Sequence, residues 1–206
     1  MADLLCTIAQ VKARIPITDT ADDAMLTEMV TEVSGWIENY TGRKFAPDNA
    51  ATYVFDTVKG YDLLVPYGVR TITSMGVAQS HQPDAAGTYT SVPSGDILLR
   101  PKVQDGPIGW PFTRVQISRG TRTGTTAMFA NADNGCTITG NFGFATVPPE
   151  IESVAIDAVV TAYTTRQDGA SGVIGADGFS GPPWSQFFGR GSPQRGTLDR
   201  YAVSQF

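Results

Sequence analysis

The chain has 206 residues, of which 41% are hydrophobic and only 17% charged, with a formal charge of −5 at neutral pH. That length buries a real core, in one generous domain or two small ones. The acidic balance excludes a general nucleic-acid binder, which carries a dense basic face. No basic segment followed by an apolar run and a cleavage site opens the sequence, and no apolar run reaches spanning length. Neither a secretion signal nor a membrane span is therefore expected. Cys6 and Cys136 stand far apart and are expected as two unpaired thiols of a reducing cytoplasm, with a lone long-range disulfide as the alternative.

Thr7 to Gln10 has the spacing of a capping box, opening a short helix that carries Ile8, Val11 and Ile15 and stops at Pro16. The stretch from Asp19 to Arg43 then organises everything else. Met25, Leu26, Met29, Val30, Val33, Ile37 and Tyr40 recur at steps of three and four, which predicts one apolar helix face. Asp22, Asp23, Glu28, Glu32 and Glu38 fall mostly on the other side. Thr20 and Asp23 are spaced as a second, shorter capping box. Gly42 can take the left-handed turn that ends a helix, with cations beside the last carbonyls. A helix–turn–helix of this outline could read DNA, but a recognition helix exposes basic or amide side chains, and this one exposes acids.

After Phe45 short apolar runs replace helical periodicity. Strands are expected at Tyr53–Val58, Asp62–Val65, Thr71–Val77, Thr88–Val92, Ile97–Arg100, Thr113–Ser118 and Thr137–Phe144. Turns are expected at Lys59-Gly60, Tyr67-Gly68, Ser94-Gly95, Asp105-Gly106 and Asn134-Gly135. This block reads as an antiparallel β module, a small barrel or sandwich. Helical grammar returns at Val147-Pro148-Pro149-Glu150, and Ile151, Val154, Ala155, Ala158, Val159, Ala162 and Tyr163 form a second apolar stripe.

The fold class that follows is α+β: a small helical bundle of residues 1–45 and 147–168, an inserted antiparallel β module of 46–146, and an extended, flexible C-terminal arm of 169–206. The arm is dense in glycine and proline yet carries Trp184, Phe187, Phe188, Leu198, Tyr201 and Phe206, with Arg190, Arg195 and Arg200 between them. Such a segment suits an arm that becomes ordered on another surface, its aromatics in pockets and its arginines against acids. The alternative is a tail folded back on its own β module.

No chemistry of an enzyme emerges. His81 stands in a loop without a partner, no Cys or His pair has metal-ligand spacing, and no catalytic residue, metal or cofactor is expected. The run from Ser171 to Gly178 has the wrong glycine spacing for a nucleotide loop.

Two stretches carry a resemblance. DDAMLTEMVTEVSGWIENYTGRKF contains paired aspartates at the helix start and a Trp-Ile-Glu-x-Tyr-Thr-Gly-Arg pattern from Trp36 to Arg43. GFATVPPEIESVAIDAVVTAY, Gly143 to Tyr163, contains a glycine-terminated strand and a Val-Pro-Pro-Glu-Ile step into a helix. In order and separation these resemble the head–tail connector (adaptor) proteins of long-tailed bacteriophages and related gene-transfer particles, whose larger members carry a β module between the helices. The resemblance implies a structural virion protein, assembled in the bacterial host cytoplasm; the isolated chain is expected to be a monomer. In the virion it implies a homo-oligomeric ring, usually dodecameric, on the portal protein. That ring extends the DNA channel, without sequence-specific binding, towards stopper or tail proteins. The five acids of the long helix would face the channel or the ring, and the arm's aromatics and arginines would bind the portal or a neighbouring subunit. A tail or baseplate module binding sugar or protein through Tyr61, Tyr67, Tyr89 and Trp110 is the alternative, and a small hydrolase using Asp or Glu a third.

Overall fold

The structure is a computed structural model that describes residues 4–15, 17–18, 20–78, 89–100, 110–118, 127–167, 173–174, 180–181, 188–189 and 192–202. The architecture is α+β, as expected, and the chain divides into two compact units, Met1–Ala46 with Thr146–Phe206, and Pro47–Ala145.

The first unit is helical: α1 (Ile8–Arg14), α2 (Asp23–Thr41), α3 (Pro149–Gln167) and α4 (Pro193–Tyr201). Thr7 and Gln10 form the expected capping box at the start of α1. On α2 the buried residues include Leu26, Met29, Val30, Val33 and Ile37, the stripe read from the sequence, while Met25 and Tyr40 are half-buried. On α3 all seven expected residues are buried, with Ile156 in addition. Each large aliphatic side chain so buried contributes roughly 1.5–3 kcal/mol over exposure, so the α2–α3 pair is a large contributor to this unit's stability. Ser34 is fully buried, and its Oγ accepts a 3.1 Å hydrogen bond from the Leu5 N–H. At the margin the Gln10 amide donates to Glu152, Lys12 pairs with Asp23, and Arg14 lies 3.2 Å from Asp157.

Two helix-end readings are corrected. The box expected at Thr20 and Asp23 does not form, because Asp22 is the N-cap of α2 and makes no capping bond. Its carboxylate accepts from the Tyr163 hydroxyl instead, at 2.7 Å, a tertiary contact that outcompetes the local one. Gly42 does end α2 in the left-handed region, at φ 65°. The Arg43 Nε that follows donates to the Tyr201 carbonyl rather than to the last turn of α2.

The second unit is a six-stranded antiparallel sheet: β1 (Asp48–Thr57), β2 (Asp62–Ala78), β3 (Tyr89–Ser91), β4 (Ile97–Arg100), β5 (Phe112–Ile117) and β6 (Ala132–Phe142). The order is β1-β6-β2-β5-β4, with β3 also on β2. β2 is one strand of 17 residues where two were expected. Its first part pairs with β5 and its later part with β6, and the register shifts between them. Tyr67-Gly68 is therefore a bend inside a strand and not a turn between strands. Gly68 sits at φ 72°, and a Cβ there would lie 2.7 Å from Pro111, so only glycine serves. The bend lets both parts of the strand face one core, in which Leu63, Val65, Val69, Met75, Val115, Ile117, Phe129, Cys136, Ile138 and Phe142 are buried.

Asn134-Gly135 is likewise inside a strand, β6, with Asn134 at φ 53°. Ser94–Asp96 forms a single 3₁₀ turn and Lys59-Gly60 a connection, both as read, while Asp105-Gly106 lies outside the described residues. Among the described residues β1, β3 and β4 each pair on one side only, which is an open sheet and neither a closed barrel nor a two-sheet sandwich. A short pair, β7 (Val173–Ile174) and β8 (Ser180–Gly181), follows α3.

Candidate functional site

The C-terminal end of α2 is built as a seat for the chain's own C-terminal segment. The Trp36 ring stacks on Tyr40 at 5.1 Å, one helical turn on, and on Phe188 at 4.2 Å. Tyr40 is in turn covered by the Arg195 guanidinium, 5.6 Å from its ring centre, and its hydroxyl donates to Asp199. The Glu38 carboxylate accepts from the Phe45 N–H at 3.4 Å, and the Thr41 hydroxyl donates to the Ile37 carbonyl at 2.8 Å. Tyr201 lies edge-on to Phe45 at 5.7 Å, and its hydroxyl donates to Glu150 at the start of α3. Leu198 and Tyr201 of α4 are buried.

Every position of the pattern from Trp36 to Arg43 except Asn39 thus has a packing, capping or hydrogen-bonding task within this unit. α4 itself was missed in the sequence. Its signals are Ser192, whose hydroxyl accepts from the Arg195 N–H, and Pro193 at the first turn, and they were masked by the glycine- and proline-rich run before them.

The charges follow from this packing. Burial pushes the Arg43 guanidinium down from its ordinary value. Tyr40 is raised first by its hydrogen bond to Asp199, and Tyr201 first by burial and then by its bond to Glu150. A raised phenol favours its neutral form, so the stability these groups contribute is complete below about pH 10, where the unfolded chain titrates, and is lost as pH climbs through the folded values. The melting temperature of the full chain should accordingly fall above that pH, in step with phenolate absorbance. Tyr201→Phe should flatten the decline.

Of the expected acids, Asp22 accepts from Tyr163, Asp23 pairs with Lys12 and Glu38 serves Phe45, while Glu28 and Glu32 are exposed on α2. Of the expected arm residues, Phe188, Leu198 and Tyr201 are buried in the helical unit, Arg195 covers Tyr40, and Arg200 is exposed. Trp184, Phe187, Arg190 and Phe206 lie outside the described residues, as does His81.

Nothing in the described residues assembles into a reacting site. No group of three or more His, Cys, Asp or Glu among them could hold a metal. Cys6 and Cys136 are free and buried, and burial pushes their thiols up to about 11 and about 12, far from a reactive thiolate. A shallow groove of about 390 Å³ is lined by Asp56, Thr57, Val58, Asn131, Ala132 and Asp133. Its polar groups serve the sheet: Asp56 accepts from the Asn134 N–H at 2.8 Å and Thr57 donates to the Ala130 carbonyl at 2.6 Å. Tyr67 packs on Tyr53, Tyr89 donates to the Asn134 carbonyl, and Trp110 lies edge-on to Phe144. Among the described residues no helix is long and apolar enough to cross a membrane.

Comparison with known proteins bears on this arrangement. No curated protein sequence matches the chain. Solved structures share its fold, among them the following three. A chain in the neck of an empty gene transfer agent particle, computed with C6 symmetry, has 15% identity and a TM-score of 0.58, covering 100% of this chain and 91% of that one. A chain in the neck of the native particle, computed with C12 symmetry, has 16% identity and a TM-score of 0.52, covering 97% and 89%. A third, from the virion of the native particle, has 18% identity and a TM-score of 0.52, covering 100% and 91%. The family described as phage gp6-like head-tail connector protein matches residues 6–81, which hold α1, α2, β1 and β2; the second stretch of the resemblance, Gly143 to Tyr163, lies beyond it. The resemblance read at Trp36–Arg43 is thereby borne out: residues 6–81 match the family described as phage gp6-like head-tail connector protein.

Proposed function

We propose that the protein is a structural component of the virion neck. It would form a homo-oligomeric ring that joins the portal of the DNA-filled capsid to stopper or tail proteins and continues the DNA channel. One observation carries this reading: the connector family's pattern lies on α1, α2 and the first strands, and the whole chain, insert included, has the fold of neck chains from gene transfer agent particles. The symmetries of those necks, C6 and C12, support a ring of twelve copies or an arrangement compatible with it. Its action is binding alone, with no catalytic step and no cofactor. Glu28 and Glu32, exposed on α2, are free to face the channel or a ring neighbour, and acids at either place do not grip phosphate, whereas basic contacts hold DNA tightly and without sequence preference. Within the arm, Trp184, Phe187, Arg190, Arg200 and Phe206 remain the candidates for the portal or a neighbour. Phe188, Leu198 and Tyr201 fasten the arm to its own helices.

Electron micrographs of tailless particles, prepared with and without this protein, test the reading. An added ring of density below the portal is the expected result. Particles that look the same in both preparations, or the protein lodged at a fibre tip, would overturn it.

A further inference from the structure

Two pairs of like charges stand on outer surfaces and form no ion pair among the described residues. On the sheet, Arg100 of β4 faces Arg114 of β5 directly across the ladder, and Leu64 of β2 completes the row. Leu63 and Val115 are buried in the core and Leu99 packs against it, so alternation puts Leu64, Arg114 and Arg100 on the opposite face. Leu64 is 52% exposed, Arg114 is exposed and Arg100 is half-buried. The Arg100 Nε donates to the Gln116 amide oxygen at 3.0 Å. Neither guanidinium has a carboxylate within ion-pair distance among the described residues, and Asp62, in the adjoining row opposite Gln116, forms no ion pair either. Like charges placed directly opposite weaken a ladder.

On α2, Glu28 and Glu32 are both exposed, one turn apart, and no cation pairs with either among the described residues. Carboxylates at this spacing repel each other. Their neighbours Asp22, Asp23 and Glu38 are all engaged, which makes these two the helix's uncommitted acids. The dimensions correspond. Four residues of helix rise about 6 Å, and residues opposite each other on antiparallel strands lie about 4.5–5.5 Å apart. Two guanidinium groups can therefore meet two carboxylates one to one, in the charge-assisted geometry that arginine favours.

We propose that the Arg100–Arg114 pair of one copy docks on the Glu28–Glu32 pair of the next, an inference that rests on the ring reading. The two surfaces are different, so the contact is head-to-tail and propagates around an axis until it closes. Each copy supplies one surface of each kind. Leu64 and Leu98, beside the arginines, add apolar margin, and each pair's own repulsion is relieved only when the neighbour arrives.

Assembly of the full-length protein on tailless particles tests this, scored as ring occupancy in micrographs. Three preparations are compared with wild type: R100E/R114E, E28R/E32R, and an equimolar mixture of the two. Each variant alone should fall at least about tenfold, since every junction then opposes like charges. The mixture should recover wild-type occupancy, because in an alternating ring every junction again joins unlike charges. Melting curves of each variant separate lost docking from lost folding, and the exposed glutamate pair is the arm least open to misfolding. Either variant occupying particles as well as wild type would overturn the proposal, as would a mixture no better than its components. So would loss of occupancy by R100E/R114E alone together with loss of retained double-stranded DNA, which would give the arginines to phosphate. A wild type that forms no ring would overturn the ring reading itself, and that outcome is distinct from a wild-type ring that the variants also form.

Discussion

Gly140→Ala should unfold the strand unit, or lower its stability by about 3 kcal/mol or more, the upper range of overpacking effects. Gly140 lies in β6 with a strand bonded on each side, opposite Ala51 of β1 and Ile72 of β2. A Cβ there would stand 2.1 Å from the Thr71 carbonyl oxygen and 3.1 Å from the Ile72 Cα. Both are backbone atoms of a central strand, so no side chain can swing aside. Relief requires β2 and β6 to part at a point where their register already shifts. The contrast is Gly196, within α4, where an added Cβ meets nothing within 4 Å. Gly196→Ala should raise stability by about 0.5–1 kcal/mol, because alanine is the better helix former. Thermal unfolding of both variants, followed by near-ultraviolet circular dichroism, decides the matter. A Gly140→Ala protein that melts with wild type would show the strands to be less closely joined than described.

Tyr201→Ala should cost about 3–5 kcal/mol, the usual range for deleting a buried aromatic ring, and should loosen α4. The ring is lost from Phe45 and the hydroxyl from Glu150, while the backbone carbonyl that accepts from Arg43 stays only if the helix does. Tyr201→Phe keeps the ring and should cost only about 1 kcal/mol, a single net hydrogen bond. Denaturant unfolding and hydrogen exchange across α4 measure the two. The size of the effect also separates two roles for the arm. A side chain held for a partner can be removed without moving the melting temperature, with only attachment to the head lost. A side chain that fastens the arm at home lowers the melting temperature first. The burial of Leu198 and Tyr201 supports the second for α4.

The helical frame was legible because periodicity speaks for itself over long stretches. The stripes on α2 and α3, the stop at Gly42 and the start at Pro149 each depend on local stereochemistry that one segment carries alone. Misreadings arose where a distant residue overrides a local signal. A capping box is expected at Thr20 and Asp23, but Asp22 is the N-cap and its carboxylate accepts from Tyr163, 141 residues away. Tyr67-Gly68 and Asn134-Gly135 have the composition of turns, yet the sheet uses them to bend and to bulge, since flanking strands keep pairing past them. The family pattern at Trp36–Arg43 was visible as a pattern, but its task was not. The partners that explain it, Phe188, Asp199 and Tyr201, lie in a segment whose glycine and proline content argued against order. Of the candidate acids only Glu28 and Glu32 kept the exposure that composition promised for all five.

The sheet begins with β1 and ends with β6, and these two strands adjoin, Asp48 opposite Phe142. Its doorway is therefore a single rung wide, however much polypeptide lies behind it. Heredity can lengthen, trim or exchange what is behind that doorway by simple insertions and deletions, while the span required of Ala46 and Thr146 stays the same. A change of length behind the doorway therefore leaves the two crossings of the chain, at Ala46 and Thr146, as they are.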